Sequence, residues 1–457
     1  MTAPGRSPRE RARASPSPVP PAGDPLQVEL REPDLPRTAK VAGRDLRSGW
    51  TTGTCAAAAA KAAAAALVSG RAQERVEVGL PAGGRRVTFA VASCRLGDGE
   101  AEAVVVKDAG DDPDVTHGAH LTARVFLEPE PGLRIEGGEG VGRVTRPGLG
   151  LPIGGPAINP VPRRQITAAV GEVLDLDGNG ARVVVSVPGG ERMARKTTNP
   201  RLGIVGGISI LGTTGVVRPF STAAWRASVE QAVDVIAALG LDTLVLSTGG
   251  RTERAAMRLY PGLDQVCFVE VGDFTGHALR RATARGLSRC AFVGMAGKLA
   301  KLGAGVLMTH WTRSKVDPGL LACLTAEAGG DADLIAAVGR ANTARHAYEL
   351  WAAAGLVGAR REGPAAADRP ATEPNAAADP ATPSPCDLLC RQVAANLARF
   401  VDGRLAVEVV MVDFEGLQPV GRGSGGLEER SGSPPGIRGS GGLEERSGSP
   451  PEDRGSA

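Results

Sequence analysis

The chain has 457 residues, and with 42% of them hydrophobic it can bury the cores of two or three ordinary domains. Aromatic residues make up only 3%, which argues against a stacking surface for single-stranded nucleic acid, and a net charge of +3 is too mild for a general polyanion binder. The seven cysteines are scattered and include no CxxC pair, so neither a disulfide framework nor a zinc site is expected. No hydrophobic signal core opens the sequence and no apolar run reaches spanning length, which predicts a cytoplasmic protein with neither a membrane nor a nucleic-acid partner.

Residues 1–44 are rich in Pro, Arg and Ser and read as a disordered tail. Residues 45–200 have the texture of a two-layer α+β domain. A helix over 54–69, stopped by Gly70, is followed by alternating strands at 76–80, 86–94, 102–108, 122–128 and 181–187, with one helix near 163–174. Residues 201–360 alternate regularly. A strand-like run at 203–211 precedes a helix at 222–239, which places Trp225, Val229, Val233 and Ile236 on one face. Strands at 243–247, 265–271 and 290–295 then alternate with helices near 252–259, 274–285 and 297–303. This βαβ series predicts a Rossmann-like three-layer domain around a mainly parallel sheet. A Pro/Ala-rich flexible insert fills 361–385. A helix with Leu389, Val393, Leu397 and Phe400 inward and a strand follow within 386–417 and should pack back on the core. From 418 a disordered tail is expected, containing the literal repeat GSGGLEERSGSPP at 423–435 and 439–451.

Ligands of open parallel sheets bind beyond the carboxyl ends of the strands. Here four such ends are glycine-rich: 206–215, 247–253, 271–276 and 293–298. Every βα loop accepts a glycine, but four in succession favour a cofactor cleft over turn chemistry alone. No GxGxxG or Walker fingerprint accompanies them, which disfavours a dinucleotide or nucleoside triphosphate. Glu270 and Asp273 could accept ribose hydroxyls, or serve as ordinary helix-start acids. At 47–67, Thr51, Thr52, Gly53 and Thr54 offer donors at a positive helix end. They suit a carboxylate, although a helix cap alone accounts for them equally well. Cys55, with no base in evidence, reads as a buried structural thiol. In KDAGDDPDVTHGAH (107–120), Asp108, Asp111, Asp112, Asp114, His117 and His120 admit three readings: first a solvated turn, then a general base, and last a divalent-metal site. The irregular stretch 137–166 carries Arg143, Arg146, Arg163 and Arg164, which suit an acidic ligand or are simply surface charge. Residues 294–317 add Lys298, Lys301, His310, Arg313 and Lys315.

Taken in order, LRSGWTTGTCAAAAAKAA, VKDAGDDPDVTHGA, GGEGVGRVTRPGLGLPIGGPAINPVPR, NPRLGIVGGISILGTTGVVRP, VGDFTGHAL and GMAGKLAKLGAG resemble the cobalt-precorrin-5B C(1)-methyltransferases of anaerobic cobalamin biosynthesis. The resemblance spans about 45–360, and the 386–417 piece looks like the family's C-terminal part. The tails and the insert depart from it, as does Trp50, where a smaller aromatic is expected. The resemblance implies methyl transfer from S-adenosylmethionine to ring carbon 1 of cobalt-precorrin-5B, giving cobalt-precorrin-6A, with cobalt present only as part of the substrate and no resident metal. On that reading Thr248, Gly249, Gly250, Gly272, Asp273, Gly294 and Gly297 hold the methyl donor. The carboxylate-bearing macrocycle falls to Thr51, Thr52, Thr54, Arg163, Arg164, Thr213, Thr214, Arg218, Lys298 and His310, and proton handling to Asp111 and His117. Two other readings stand beside it: a dinucleotide-dependent oxidoreductase, and a non-catalytic tetrapyrrole carrier or scaffold. A homo-oligomer is only the general prior for soluble enzymes.

Overall fold

The structure, a computed structural model, describes residues 46–309, 314–357 and 383–426, a mixed α/β chain with several sheets, some of them parallel. Its first part opens with a two-residue strand β1 (Gly49–Trp50) and the helix α1 (Thr52–Ser69). Strands β2 (Arg75–Gly79) and β3 (Arg86–Ala90) form a hairpin. Strands β4 (Ser93–Leu96), β5 (Glu100–Val106), β6 (His120–Glu128) and β7 (Gly132–Gly137) follow. A short β8 (Arg143–Val144) leads to α2 (Pro160–Gly171), β9 (Gly180–Ser186), α3 (Gly190–Ala194), β10 (Ile204–Val205) and β11 (Val216–Val217). The main sheet here runs β4-β5-β6-β9-β7, antiparallel except for the parallel β7–β9 pair. The expected strand 86–94 breaks at 91–92, and its two halves join different sheets. β7 escaped the sequence reading because its residues are only half-buried on both faces and show no clean alternation.

The helix α1 organises this part. Thr51 caps it, accepting a hydrogen bond from the Thr54 amide, and Gly70 closes it in the left-handed region at φ 67°. Its alanines at 56–60, 62–64 and 66 are all at most 1% exposed. Methyl groups alone face the strands β2, β5 and β6 and the helix α2, so neighbouring backbones come close. α1 is also long and apolar enough to cross a membrane by length and composition, but most of it is buried inside this core. Its one interior cation, Lys61, reaches the Glu77 carbonyl and pairs with Glu172, which also takes both arms of Arg86 at 2.7 and 3.1 Å. The Arg86 hydrogen bond, with Lys61 behind it, pulls the Glu172 carboxyl down to about 2.

The second part contains α4 (Thr222–Ala238), β12 (Thr243–Ser247), α5 (Gly250–Leu259), β13 (Phe268–Glu270), α6 (Thr275–Ala284), β14 (Arg289–Gly294) and α7 (Ala296–Gly303). Three short helices, α8 (Pro318–Glu327), α9 (Ala332–Gly339) and α10 (Ala344–Ala353), were not anticipated. Each starts on a side-chain cap, at Asp317, Asp331 and Thr343. The chain ends with α11 (Pro385–Phe400), β15 (Ala406–Val412) and β16 (Pro419–Gly425). The sheet order is β13-β12-β14-β15-β16, parallel except at its β16 edge. The expected strand 265–271 shrinks to three residues, because Asp264 caps a 3₁₀ turn at Gln265–Cys267. On α4, Val229, Val233 and Ile236 are buried as expected, whereas Trp225 in the first turn is 44% exposed.

Two expectations are corrected. The tail expected to be disordered from 418 contributes a strand, and the first four residues of the repeat's first copy, 423–426, are ordered within it or at its end. Gly421, Gly423 and Gly425 line one face of β16 under α11, and a Cβ at Gly423 would lie 2.2 Å from the Arg391 nitrogen. The glycines that read as disorder are what allow helix and strand to touch. The second correction concerns 203–211, which is no strand of the parallel sheet. Ile208 and Ile210 pack in the first core and bridge to Val141 and Ile158, while Leu202 and Ile204 pack in the second.

Replacing Ala59 by Leu should destabilise the protein by about 1–3 kcal/mol through overpacking, read as a lowered thermal midpoint with unchanged secondary structure. Glu172 has a depressed folded-state pKa, so its contribution is present above its ordinary value of 4.5 and lost as pH falls toward about 2. Glu172→Gln should therefore flatten the acid limb of stability between those values and leave the slope near neutrality unchanged.

Candidate functional site

Parallel strands β12, β13 and β14 end side by side, with Ser247 in register with Glu270 on one neighbour and Val293 on the other. Lys298, in the first turn of α7, ties the three exits together. Its Nζ donates to the Gly272 carbonyl at 2.9 Å and the Thr248 carbonyl at 3.4 Å, and pairs with Asp273 at 3.2 Å. Asp273 also accepts from the Thr309 hydroxyl at 2.8 Å, and the Thr309 carbonyl accepts from Lys301 at 3.0 Å. Lys298, expected to face the macrocycle, is thus committed to the loops expected to hold the donor. An ammonium with three donors is satisfied by carbonyls and a carboxylate that loop closure brings within its reach.

Around that tie, polar groups lack partners. The Ser247 and Thr275 hydroxyls are buried and have no hydrogen-bond partner among the described residues. Such groups cost about 1–3 kcal/mol each when left unpaired, and a bound ligand is one way to satisfy them. Neither was legible in the sequence, since a Ser ending a strand and a Thr opening a helix are ordinary. Glu270 is half-buried beside them without a hydrogen bond among the described residues. Burial, reinforced by Glu253, pushes its carboxyl up. Gly250 and Gly297 have open space where a side chain would stand, and at Gly249 the nearest atom is Glu270 Oε1 at 4.0 Å. Gly294 differs: a Cβ there would press on Leu299 and Phe292 at 3.1 Å, so it serves packing and does not line the cleft. Gly272 turns with φ 57°, and Trp225 lies against it.

The start of α1 is closed to a ligand. The Thr52 hydroxyl donates to the Leu211 carbonyl at 3.2 Å and accepts from the Leu211 amide at 2.9 Å, and the Gly53 amide donates to the same carbonyl at 2.9 Å. The Thr54 hydroxyl donates to Gly215 and Gln165. Thr52 and Thr54 are buried, so the carboxylate role expected of them is filled by the chain's own 211–215 loop. That loop presents Thr213 and Thr214 to solvent instead. The arginines separate in the same way. Arg143 donates to the Gly154 carbonyl, Arg146 grips Asp264 with both arms at 3.0 and 3.1 Å, and Arg163 donates to Ile158 and Ile135 carbonyls. Arg164 and Arg218 are exposed, without an ion-pair partner among the described residues. Arg164 and Thr213 line one groove of about 320 Å³ with Leu80, Pro81, Val161 and Glu172.

The acidic loop is largely self-bonded, as the solvated-turn reading has it. Asp108 grips Arg47 and caps Gly110, which holds its carboxyl below the usual range. At Asp114 the upward push of burial is outweighed by buried Lys107 at 2.6 Å and by Thr116. Asp111 and Arg47 exchange backbone-mediated bonds at 2.6 and 2.9 Å. Asp112 accepts from the Phe220 amide at 2.9 Å, joining this loop to the lead-in of α4. His117 Nδ1 accepts from the Ala109 amide at 3.1 Å, which assigns the ring proton to Nε2. With Nδ1 engaged by the backbone, Nε2 is the ring nitrogen left for other partners. Asp111 and His117 are both exposed and do not bond to each other. Cys55 is fully buried and its thiol is pushed up to about 12, chiefly by burial, as befits a packing residue. His310 and Arg313 lie outside the described residues.

The CbiD family model matches residues 39–219, ending where the chain turns from the 204–217 segment into α4, and the CbiD C-terminal domain model matches 308–362. A cobalt-precorrin-5B C(1)-methyltransferase of Rubrobacter xylanophilus is 64% identical over 407 residues, covering 88% of this chain and 98% of its own length. Proteins of the same name from Salinispora arenicola and Geobacillus kaustophilus are 66% and 52% identical, covering 86% and 68% of this chain and 96% and 84% of theirs. A solved structure described as cobalamin biosynthesis protein (cbiD) from Archaeoglobus fulgidus is 31% identical, covering 58% of this chain and 82% of that one with a TM-score of 0.31. With two family models matching and relatives aligned almost end to end, the chain belongs to the CbiD family.

Proposed function

We propose that this protein transfers a methyl group from S-adenosylmethionine to ring carbon 1 of cobalt-precorrin-5B, giving cobalt-precorrin-6A. The relatives at 64–66% identity carry that activity in their names. Within the molecule, the observation that supports it is the set of unpaired polar groups at the ends of β12 and β13. The Ser247 and Thr275 hydroxyls are buried there without a partner, Glu270 Oε1 stands 4.0 Å from where a Cβ of Gly249 would lie, and Gly250 and Gly297 have open space beside their backbones. A nucleoside sulfonium suits these groups: the Glu270 carboxylate can accept ribose hydroxyls, the two hydroxyls can bond its polar edge, and glycines admit its bulk. We read the two hydrophobic cores as two domains, the second a Rossmann-like domain whose strand order reverses between β12 and β14, beside that space. The seven unpaired thiols suit a reducing, cytoplasmic setting.

S-adenosylmethionine, when bound, supplies a methyl group already activated by its sulfonium, so the protein's own task is alignment and exclusion of water. Lys298 holds the loops of Thr248, Gly272 and Asp273 in one arrangement. Arg164, Arg218 and Thr213 are exposed and can take the acetate and propionate carboxylates of the macrocycle, with Thr214, whose hydroxyl donates to the Val216 carbonyl at 3.2 Å, and Thr51 beside them. Asp111 and His117 are the candidates for proton handling, and His117, its Nδ1 held by the Ala109 amide, offers Nε2 to the substrate.

At Gly249 and Gly297 a Cβ would meet nothing closer than 4.0 Å, so Gly249→Val and Gly297→Val add bulk where the backbone has room for it. Both should keep the thermal midpoint while weakening calorimetric binding of S-adenosylhomocysteine by at least about ten-fold, a loss of roughly 1.4 kcal/mol. Unchanged affinity would move the donor elsewhere. Arg164→Ala and Arg218→Ala should each raise the macrocycle KM about ten-fold, as expected for a lost charge-assisted hydrogen bond, and leave the donor KM alone. Equal effects on both substrates would remove these arginines from the acceptor site. A one-methyl mass gain on the anaerobic cobalt intermediate tests the reaction itself; macrocycle binding without any donor requirement would favour a carrier.

A further inference from the structure

Phe220 is placed against its own chemistry. Its side chain is 54% exposed in a chain only 3% aromatic, and its backbone sits at φ 54°, the left-handed region that bulky L-residues avoid. A residue serving a turn there would be Gly or Asn, and a residue serving the core would be buried. Three neighbours hold the unfavourable conformation. Asp112 Oδ1 accepts the Phe220 amide at 2.9 Å, Pro219 before it is buried, and Ser221 after it caps α4 through the Ala224 amide at 3.3 Å. Backbone strain persists only where the surroundings overdetermine it, and such residues cluster at ligand sites.

Its position agrees. Phe220 follows β11 and the exposed Arg218, and Asp112 ties it to the loop of Asp111 and His117. Five residues on, Trp225 lies against the donor-side loop, its Nε1 3.2 Å from where a Cβ of Gly272 would stand. Phe220 and Trp225 are the two aromatics among the large apolar side chains left exposed in the described chain. The segment 218–225 thus links the acceptor-side loops to the ends of the parallel strands and carries one exposed ring on each side.

We propose that Phe220 is a positioning residue for the methyl acceptor. Its ring stacks on the flat, apolar face of the cobalt macrocycle, while Arg218 takes a peripheral carboxylate, so that the ring plane is set relative to the donor cleft. This rests on the acceptor being that macrocycle. An aromatic face is suited to a conjugated plane, and one fixed by a rigid backbone orients it at little entropic cost.

The test uses the full chain, a stable cobalt corrinoid polycarboxylic acid followed by its absorbance, and S-adenosylhomocysteine by calorimetry. Glycine adopts φ 54° freely, so Phe220→Gly should hold or raise the thermal midpoint. It should weaken corrinoid binding about ten-fold, within the range of base–aromatic stacking contacts, and leave S-adenosylhomocysteine affinity unchanged. Phe220→Trp should restore the corrinoid affinity and add fluorescence quenching on binding. Unchanged corrinoid affinity in Phe220→Gly overturns the proposal while leaving the methylation reading intact. A lowered thermal midpoint makes the ring a packing element, and a changed oligomeric state makes it a contact between copies; either overturns it too. If the wild-type protein neither binds the corrinoid nor methylates the intermediate, the acceptor reading itself fails.

Discussion

The close approach of backbones around α1 is the constraint on which the rest of the first core depends. A helix that presents little but methyl groups can sit against a sheet and a second helix at once, because no long side chain holds its neighbours apart. The same smallness lets the Leu211 carbonyl reach the amide of Gly53, where a Cβ would lie 2.7 Å from the Pro162 ring. A helix start that could have held an anion is instead filled by the protein's own loop. Its positive end stabilises a carbonyl, and the loop so held turns Thr213 and Thr214 toward solvent, with the Thr214 hydroxyl bonded to Val216.

From that clamp the chain proceeds in a fixed sequence of attachments. β11 pairs with β1 beside α1, Phe220 is fastened to Asp112, and α4 starts on Ser221 with Trp225 against Gly272. Lys298 performs the corresponding task at the strand ends. Between the two parts, Arg146 grips Asp264 and Arg201 pairs with Glu253, and beside them Val144, Leu149, Leu202 and Ile204 bury the long 137–217 segment on the second core. Such pairs contribute modestly to stability but fix geometry well.

The chemistry required of this scaffold is mainly positional, and the ionisable groups agree. The thiols of Cys55, Cys267 and Cys290 are pushed up to about 12 by burial, which makes them poor nucleophiles. The acidic cluster is committed chiefly to its own turn and to Arg47 and Lys107. Among the described residues, the Ser247 and Thr275 hydroxyls stay unpaired at the strand ends beside Glu270, and Arg164 and Arg218 are exposed without an ion-pair partner.

The sequence by itself determined the secondary elements with strong periodicity and the identity of the family. Alternation marked β2, β5, β6 and β9, the alanine run with Gly70 marked α1, and the βαβ rhythm marked β12 to α7, because those signals are local. It also isolated the segments that matter, since their glycines, threonines and acids are dense and ordered along the chain. Only the tertiary structure decided which members of those segments remain available. Thr52, Thr54 and Lys298 carry the right groups, but partners distant in sequence take their hydrogen bonds, and Arg163 is taken by the backbone carbonyls of Ile158 and Ile135; no local pattern reports such partners. Ser247, Thr275 and Phe220 look ordinary in sequence and become notable only through what fails to contact them. β16 followed the same rule: its glycines signal freedom in isolation and close packing once α11 lies on them.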